Sequence, residues 1–178
     1  MEKEKLVMRA ERKMFMGVNS GGSETIHRMK GFSSLSESKN PVEYTRKYVD
    51  EQFETTDVTG MSPSYDFTFD MMTPNAVLDD ISQIIDNEML GTDAVRTFYC
   101  VDFHKPEGGG YKCVKRDFSI VGSTVGDGTD ALTYSGTLRV KTAAVEGIAT
   151  IATPTDGNKD TVETITFTTS ETNSASEY

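Results

Sequence analysis

The sequence predicts a mainly β chain with a single helix, an antiparallel β-sandwich or open barrel flanked by one α-helix over about residues 74–90. Three observations lead there. Threonine and glycine are abundant and tryptophan is absent, which suits strands and turns better than a helical bundle. Short segments alternate apolar and polar residues between Gly, Asn and Pro turn signals. One stretch alone repeats its apolar residues convincingly at helical spacing. At 178 residues the chain fits one domain, for which about 100–200 residues are typical.

Residues 1–13 carry mixed charge and read as a loosely held arm. Met14 to Val18 is an apolar run closed by Asn-Ser-Gly-Gly, so it opens a hairpin whose second strand holds Thr25, Ile26, Arg28, Met29 and Phe32. Residues 33–40 are small and polar ahead of Pro41 and read as a loop. The stretch over about 38–62 scatters Tyr44, Tyr48, Val49, Phe53 and Val58 through charged and Thr-rich surroundings. It is long for a connection in a compact domain and too aromatic for simple disorder. Two readings stand: a hairpin tucked on its own domain, or an ordered loop that meets a partner. Next, Tyr65, Phe67 and Phe69 alternate with Asp66, Thr68 and Asp70, the pattern of a half-buried strand.

The helix follows. Thr73 can cap it, Pro74 fits its first position and Gly91 can stop it. Val77, Leu78, Ile81, Ile84, Ile85 and Met89 form one face, and Asp79, Asp80, Gln83, Asp86 and Asn87 the other. Such a helix would be roughly 24 Å long and would lie along one sheet to close its core. Val95–Phe103 is a strand apolar on both faces, joined by residues 105–110 to its partner Tyr111–Val121. Gly126-Asp127-Gly128 turns into Leu132–Thr142, and residues 154–158 separate a last pair, Ala144–Ala152 and Val162–Thr168. A polar tail occupies about 169–178.

Charge narrows the function. The chain holds 28 acids against 18 bases, a net −10, which disfavours a grip on nucleic acid or on anionic membrane. No basic residue lies between Lys47 and Arg96, while eleven acids do. A solvated acidic face is the plain explanation. Asp86 and Glu88, however, stand near the helix C-terminus, where the macrodipole disfavours an anion. No apolar window reaches the length of a membrane span, and the charged start is not read as a signal peptide. Two cysteines without an export signal fit a reducing compartment during synthesis.

No residue pattern in the sequence marks a catalytic site. Cys100, Cys113 and His104 could begin a zinc site, but the spacing matches no usual ligand pair and both cysteines sit among apolar strand residues. They read as buried structural thiols. Gly122–Gly126 centres on Thr124 and leads from a strand to a turn, so it is no nucleophile elbow. The glycine clusters precede strands, not a phosphate-holding helix N-terminus. The reading is a non-enzyme without cofactor or metal.

Residues 43–103 carry a recognisable order of features. A YVDE-containing excursion passes through ETTDVTG into a Ser-Pro strand of alternating aromatics. An acidic helix beginning VLDDI follows, then a strand ending VDF. This order resembles the major tail tube proteins of long-tailed, non-contractile bacteriophages. The resemblance implies a β-sandwich with a flanking helix, assembled as hexameric rings stacked into a hollow, β-lined tube. DNA would pass through it without specific binding. The implied partners are further copies of the chain, a tape measure protein and the tail terminator and distal tail proteins. The implied location is the virion, after assembly in the host cytoplasm. Within that picture Asp66 and Asp70 are expected to face the lumen, where acids repel the DNA backbone. Tyr44, Tyr48 and Phe53 are expected at the contact between rings, and Asp86 and Glu88 at a contact with a neighbouring subunit. Two alternatives remain at this stage: the inner tube of a contractile tail or a tail-derived injection device, and a carbohydrate-binding or adhesin-like β-sandwich.

Overall fold

The computed structural model describes residues 3–126, 128–151 and 161–170. Its strands are β1 (Arg12–Ser20), β2 (Ser23–Arg28), β3 (Phe32–Ser38), β4 (Pro41–Arg46), β5 (Thr55–Met61) and β6 (Ser64–Asp70). After the helix α1 (Ala76–Asp86) come β7 (Val95–Glu107), β8 (Gly110–Val125), β9 (Thr133–Val140), β10 (Val145–Ile151) and β11 (Thr164–Thr169). Nine of these strands form one sheet in the order β10-β11-β2-β1-β7-β8-β9-β6-β3, and β4 and β5 form a separate pair. Every pairing is antiparallel.

The long strand β8 serves two structures. Its first half, Tyr111–Lys115, also pairs with β10, which closes β10, β11, β2, β1, β7 and β8 into a six-stranded barrel. Its second half, from Phe118 to Val125, pairs with β9, and β9, β6 and β3 continue outward as a wing. Strand alternation sorts the side chains accordingly. Phe15, Tyr99, Val101, Phe103, Cys113, Ala149 and Ile165 fill the barrel. Met14, Met16, Phe67, Phe69, Phe98, Phe118 and Leu138 point the other way and pack under α1. β1 and β7 feed both cores because both of their faces are apolar, as the sequence of Val95–Phe103 indicated.

The helix lies on the sheet as its apolar face requires, with Val77, Leu78, Ile81 and Ile84 at most 2% exposed. Its bounds differ from the expected 74–90. The cap is Asn75, not Thr73: Asn75 Oδ1 accepts from the N–H groups of Val77 (3.1 Å) and Leu78 (3.2 Å). The stop is not Gly91 either. Glu88 adopts a left-handed φ of 50°, its N–H donates to the Ile85 carbonyl, and the Met89 N–H donates to that of Ile84. Together these bonds satisfy the last carbonyls and end the helix a turn early, with Met89 folded back on the core.

Three other segments depart from expectation. Residues 33–38, read as a loop, belong to β3. A register shift between Phe32 and Ser34 puts Phe32 and Leu35 on one face, so strict alternation is lost. The arm expected over 1–13 ends sooner, since β1 begins at Arg12 and Lys13 is 7% exposed. Thr169, expected in the tail, ends β11, and the rest of that tail from 171 lies outside the described residues. So does the 154–158 turn.

Candidate assembly surfaces

The wing β8–β9–β6–β3 has two contrasting faces. Toward α1 it presents the aromatic core. On the other face, cross-strand neighbours bring together Ser34, Ser36, Asp66, Thr68, Asp70, Thr133, Ser135, Thr137 and Ser123. Arg139 stands on it opposite Ser64, near the rim. Asp66 and Asp70 are exposed there, each accepting from a threonine hydroxyl across the strand gap: Thr137 Oγ1 at 2.9 Å and Thr133 Oγ1 at 3.3 Å. These bonds hold both carboxylates flat along the sheet. The surface is hydroxyl-rich and carries two carboxylates, with Val121 as an exposed apolar neighbour of Thr137.

Glycines let the helix side pack closely. A Cβ on Gly136 would stand 2.3 Å from the Val121 carbonyl oxygen, and one on Gly122 would stand 2.8 Å from Ile85. Gly136 thus lets β9 sit close against β8, and Gly122 lets the helix residue Ile85 rest on the sheet.

Both long sides of the wing are open among the described residues. β3 has β6 on one side and no strand on the other. β7 accompanies β8 only as far as the Val95–Ser119 pair, which leaves Ile120–Val125 without a strand on that side. Open edges are templates for pairing with another chain. Sequence reading missed β3, whose serines carry little strand signal, and with it this edge.

The β4–β5 pair projects from the far end of the wing, where Ser38 faces Ser64. Asn40 Nδ2 pins its base by donating to the Ser62 carbonyl (3.1 Å) and to Ser64 Oγ (3.0 Å). Tyr44 lies on β4 with the Arg46 guanidinium 5.6 Å from its ring, while Tyr48 and Phe53 occupy the connecting loop, 53% and 80% exposed. A two-stranded hairpin is marginal in water without a covering surface.

The helix acids have separate roles. Asp80 is bound in a fork by Arg96, with Nε–Oδ2 2.7 Å and Nη2–Oδ1 3.0 Å, and Asp86 Oδ2 accepts from the Tyr134 hydroxyl at 2.9 Å. Asp86 thus ties the helix to β9. Glu88 projects from the exposed corner beyond it.

The two cysteines do not share a face. Cys100 packs on the helix-side core and Cys113 in the barrel, both as free thiols. Burial pushes Cys100 up to about 11 and Cys113 up to about 12, so both stay protonated at neutral pH. Burial likewise raises Tyr65, with Glu37 adding to the effect, and a forked pair with Asp102 raises Arg12 after partial desolvation is set against it. Among the described residues no group of three or more His, Cys, Asp and Glu side chains is placed to hold a metal ion.

No protein-family profile matches the chain, and no curated protein matches it in sequence. Solved structures match it in fold. The SPP1 tail tube aligns over 79% of this chain and 78% of its own, with a TM-score of 0.56 and 18% identity. The tail of an empty GTA particle, determined with C6 symmetry, aligns over 78% of this chain and 97% of its own, with a TM-score of 0.57 and 12% identity. The chain has the tail-tube fold.

Proposed function

We propose that this chain is the wall subunit of a phage-type tail tube, a virion component in which six copies close into a ring and rings stack around a DNA channel. The observation that carries this is the wing with two open edges. Each neighbour within it is antiparallel, so β3 and β8 run in opposite directions. When copies stand side by side in one orientation, β3 of one and Ile120–Val125 of the next continue the same alternation, and repetition around an axis closes a continuous β-wall. The GTA tail, which shares this fold, was determined with C6 symmetry.

The hydroxyl-rich face then lines the bore, with Asp66 and Asp70 within it. DNA moves past such a lining because clustered Lys and Arg, which would exchange for counterions and bind phosphate, are replaced by acids and hydroxyls. Stacking falls to the hairpin, which extends past the end of the wing with Tyr44, Tyr48 and Phe53 as anchors against the adjoining ring. No step in this function requires a catalytic group. The tape measure and terminator proteins implied by the sequence resemblance would meet the bore and the last ring.

Negative-stain electron microscopy of the purified chain tests the reading. Rings or hollow tubes with sixfold end views are expected as concentration rises. A protein that stays monomeric across the accessible concentration range overturns it.

A further inference from the structure

Two surfaces flank the open edges on the helix side of the wing, and they match each other. Beside β3 lies a groove of about 330 Å³ whose floor is Met14, Met29, Phe32 and Leu35. Its charged lining is entirely basic: Arg9, Arg12, Lys13 and Arg28, in a chain of net charge −10. Arg12 is matched by Asp102. Arg9 is different, because its guanidinium donates only to backbone carbonyls, those of Arg12 (2.7 Å) and Leu35 (3.3 Å). It therefore stands on the β3 edge with its charge uncompensated by an acid among the described residues.

Beside the open edge of β8 stands the corner after α1. Leu90 is 81% exposed there, next to Glu88, with Asp93 on the following turn and Lys141 across the adjoining groove. The negative end of the helix dipole points at this corner. The two surfaces also share a level. Leu35 pairs with Phe67, Phe67 with Gly136 and Gly136 with Gly122, the residue on which Ile85 of the helix rests.

We propose that the Glu88–Leu90 corner of one copy seats in the Arg9 groove of the next copy around the ring. Leu90 covers the apolar floor, and the Glu88 carboxylate meets the Arg9 guanidinium. This rests on the ring reading above and adds the contact that fixes which neighbours are accepted. It also explains an acid left at the unfavourable end of a helix: its partner is on another molecule. Opposite charge at a rim of apolar contact sets register and orientation more than total affinity.

The test is a charge exchange in the full chain, read as the lowest concentration at which rings or tubes appear. Glu88→Lys alone and Arg9→Glu alone are each expected to raise that concentration about tenfold or more, and the double variant to return to within about threefold of the parent. Leu90→Ser, which leaves the charges intact, is expected to raise it as well. Thermal unfolding of each variant as a dilute monomer identifies any that fail to fold, and Leu90→Ser then serves in their place. If the parent assembles and both reversals assemble at the parent concentration, the contact is refuted while the tube reading stands. A double variant no better than either single refutes it too. If the parent never assembles, the ring reading has failed, and this contact with it.

Discussion

At the scale of single residues, the two thiols that could have begun a metal site are held on opposite faces of the sheet. Val101 pairs with Cys113 and Cys100 with Val114, so one residue of offset sends the two thiols into different cores. Burial raises both, and this has a sign that can be checked. Below about pH 9 the thiols are protonated whether the chain is folded or not. Between that point and about 11 to 12 only the unfolded chain releases its protons, so the stability present below pH 9 falls as pH rises. Denaturant titrations at pH 7 and 10 are expected to show this drop, reduced when both cysteines are replaced by alanine or valine of compatible packing. Alkylation of the native protein at pH 8 is expected to be slower by orders of magnitude than alkylation of the unfolded chain. That both thiols pack among apolar side chains was readable from their neighbours in sequence. That they face apart needed the register.

At the scale of elements, patterns long enough to repeat were readable and those shaped by a few backbone torsions were not. The alternation through Tyr65, Phe67 and Phe69 located β6, and the spacing from Val77 to Ile84 located the helix. The helix ends depended on which side chain reaches the first N–H groups and on one left-handed residue, Glu88, where a glycine is the usual choice. β3 was hidden by its serines and its bulge, and Arg9 drew no notice because its groove is assembled from β1, the end of β2 and β3. The β4–β5 hairpin was visible as an aromatic excursion, but only its projection past the wing suggests a purpose. Replacing Tyr48 and Phe53 by alanine is expected to weaken ring stacking by about 1–2 kcal/mol per anchor, with little change in the unfolding temperature of the monomer. Sedimentation of tubes against short rings measures this directly; tubes of ordinary length would place the stacking contact elsewhere.

At the scale of the whole molecule, one sheet carries both a closed barrel and an open wing. The barrel and the helix-side core bury the large apolar residues, while the wing leaves a face and two edges for others. Reversing Asp66 and Asp70 to lysine is expected to leave assembly intact and to change what the bore does. Tubes of the variant should retain short duplex DNA at 50 mM salt and release it by 200 mM, with affinity falling on the order of 10³-fold over that range, whereas parent tubes retain none. Indifference to the reversal would put the two acids outside the bore. One strand then has a mechanical meaning. Because β8 is covalently shared by barrel and wing, a seam between copies in the proposed ring could not be pried open without hauling on the barrel itself. In the proposed tube each ring would behave as a stiff bead, and a bent tail would take its curvature at the hairpin joints between beads.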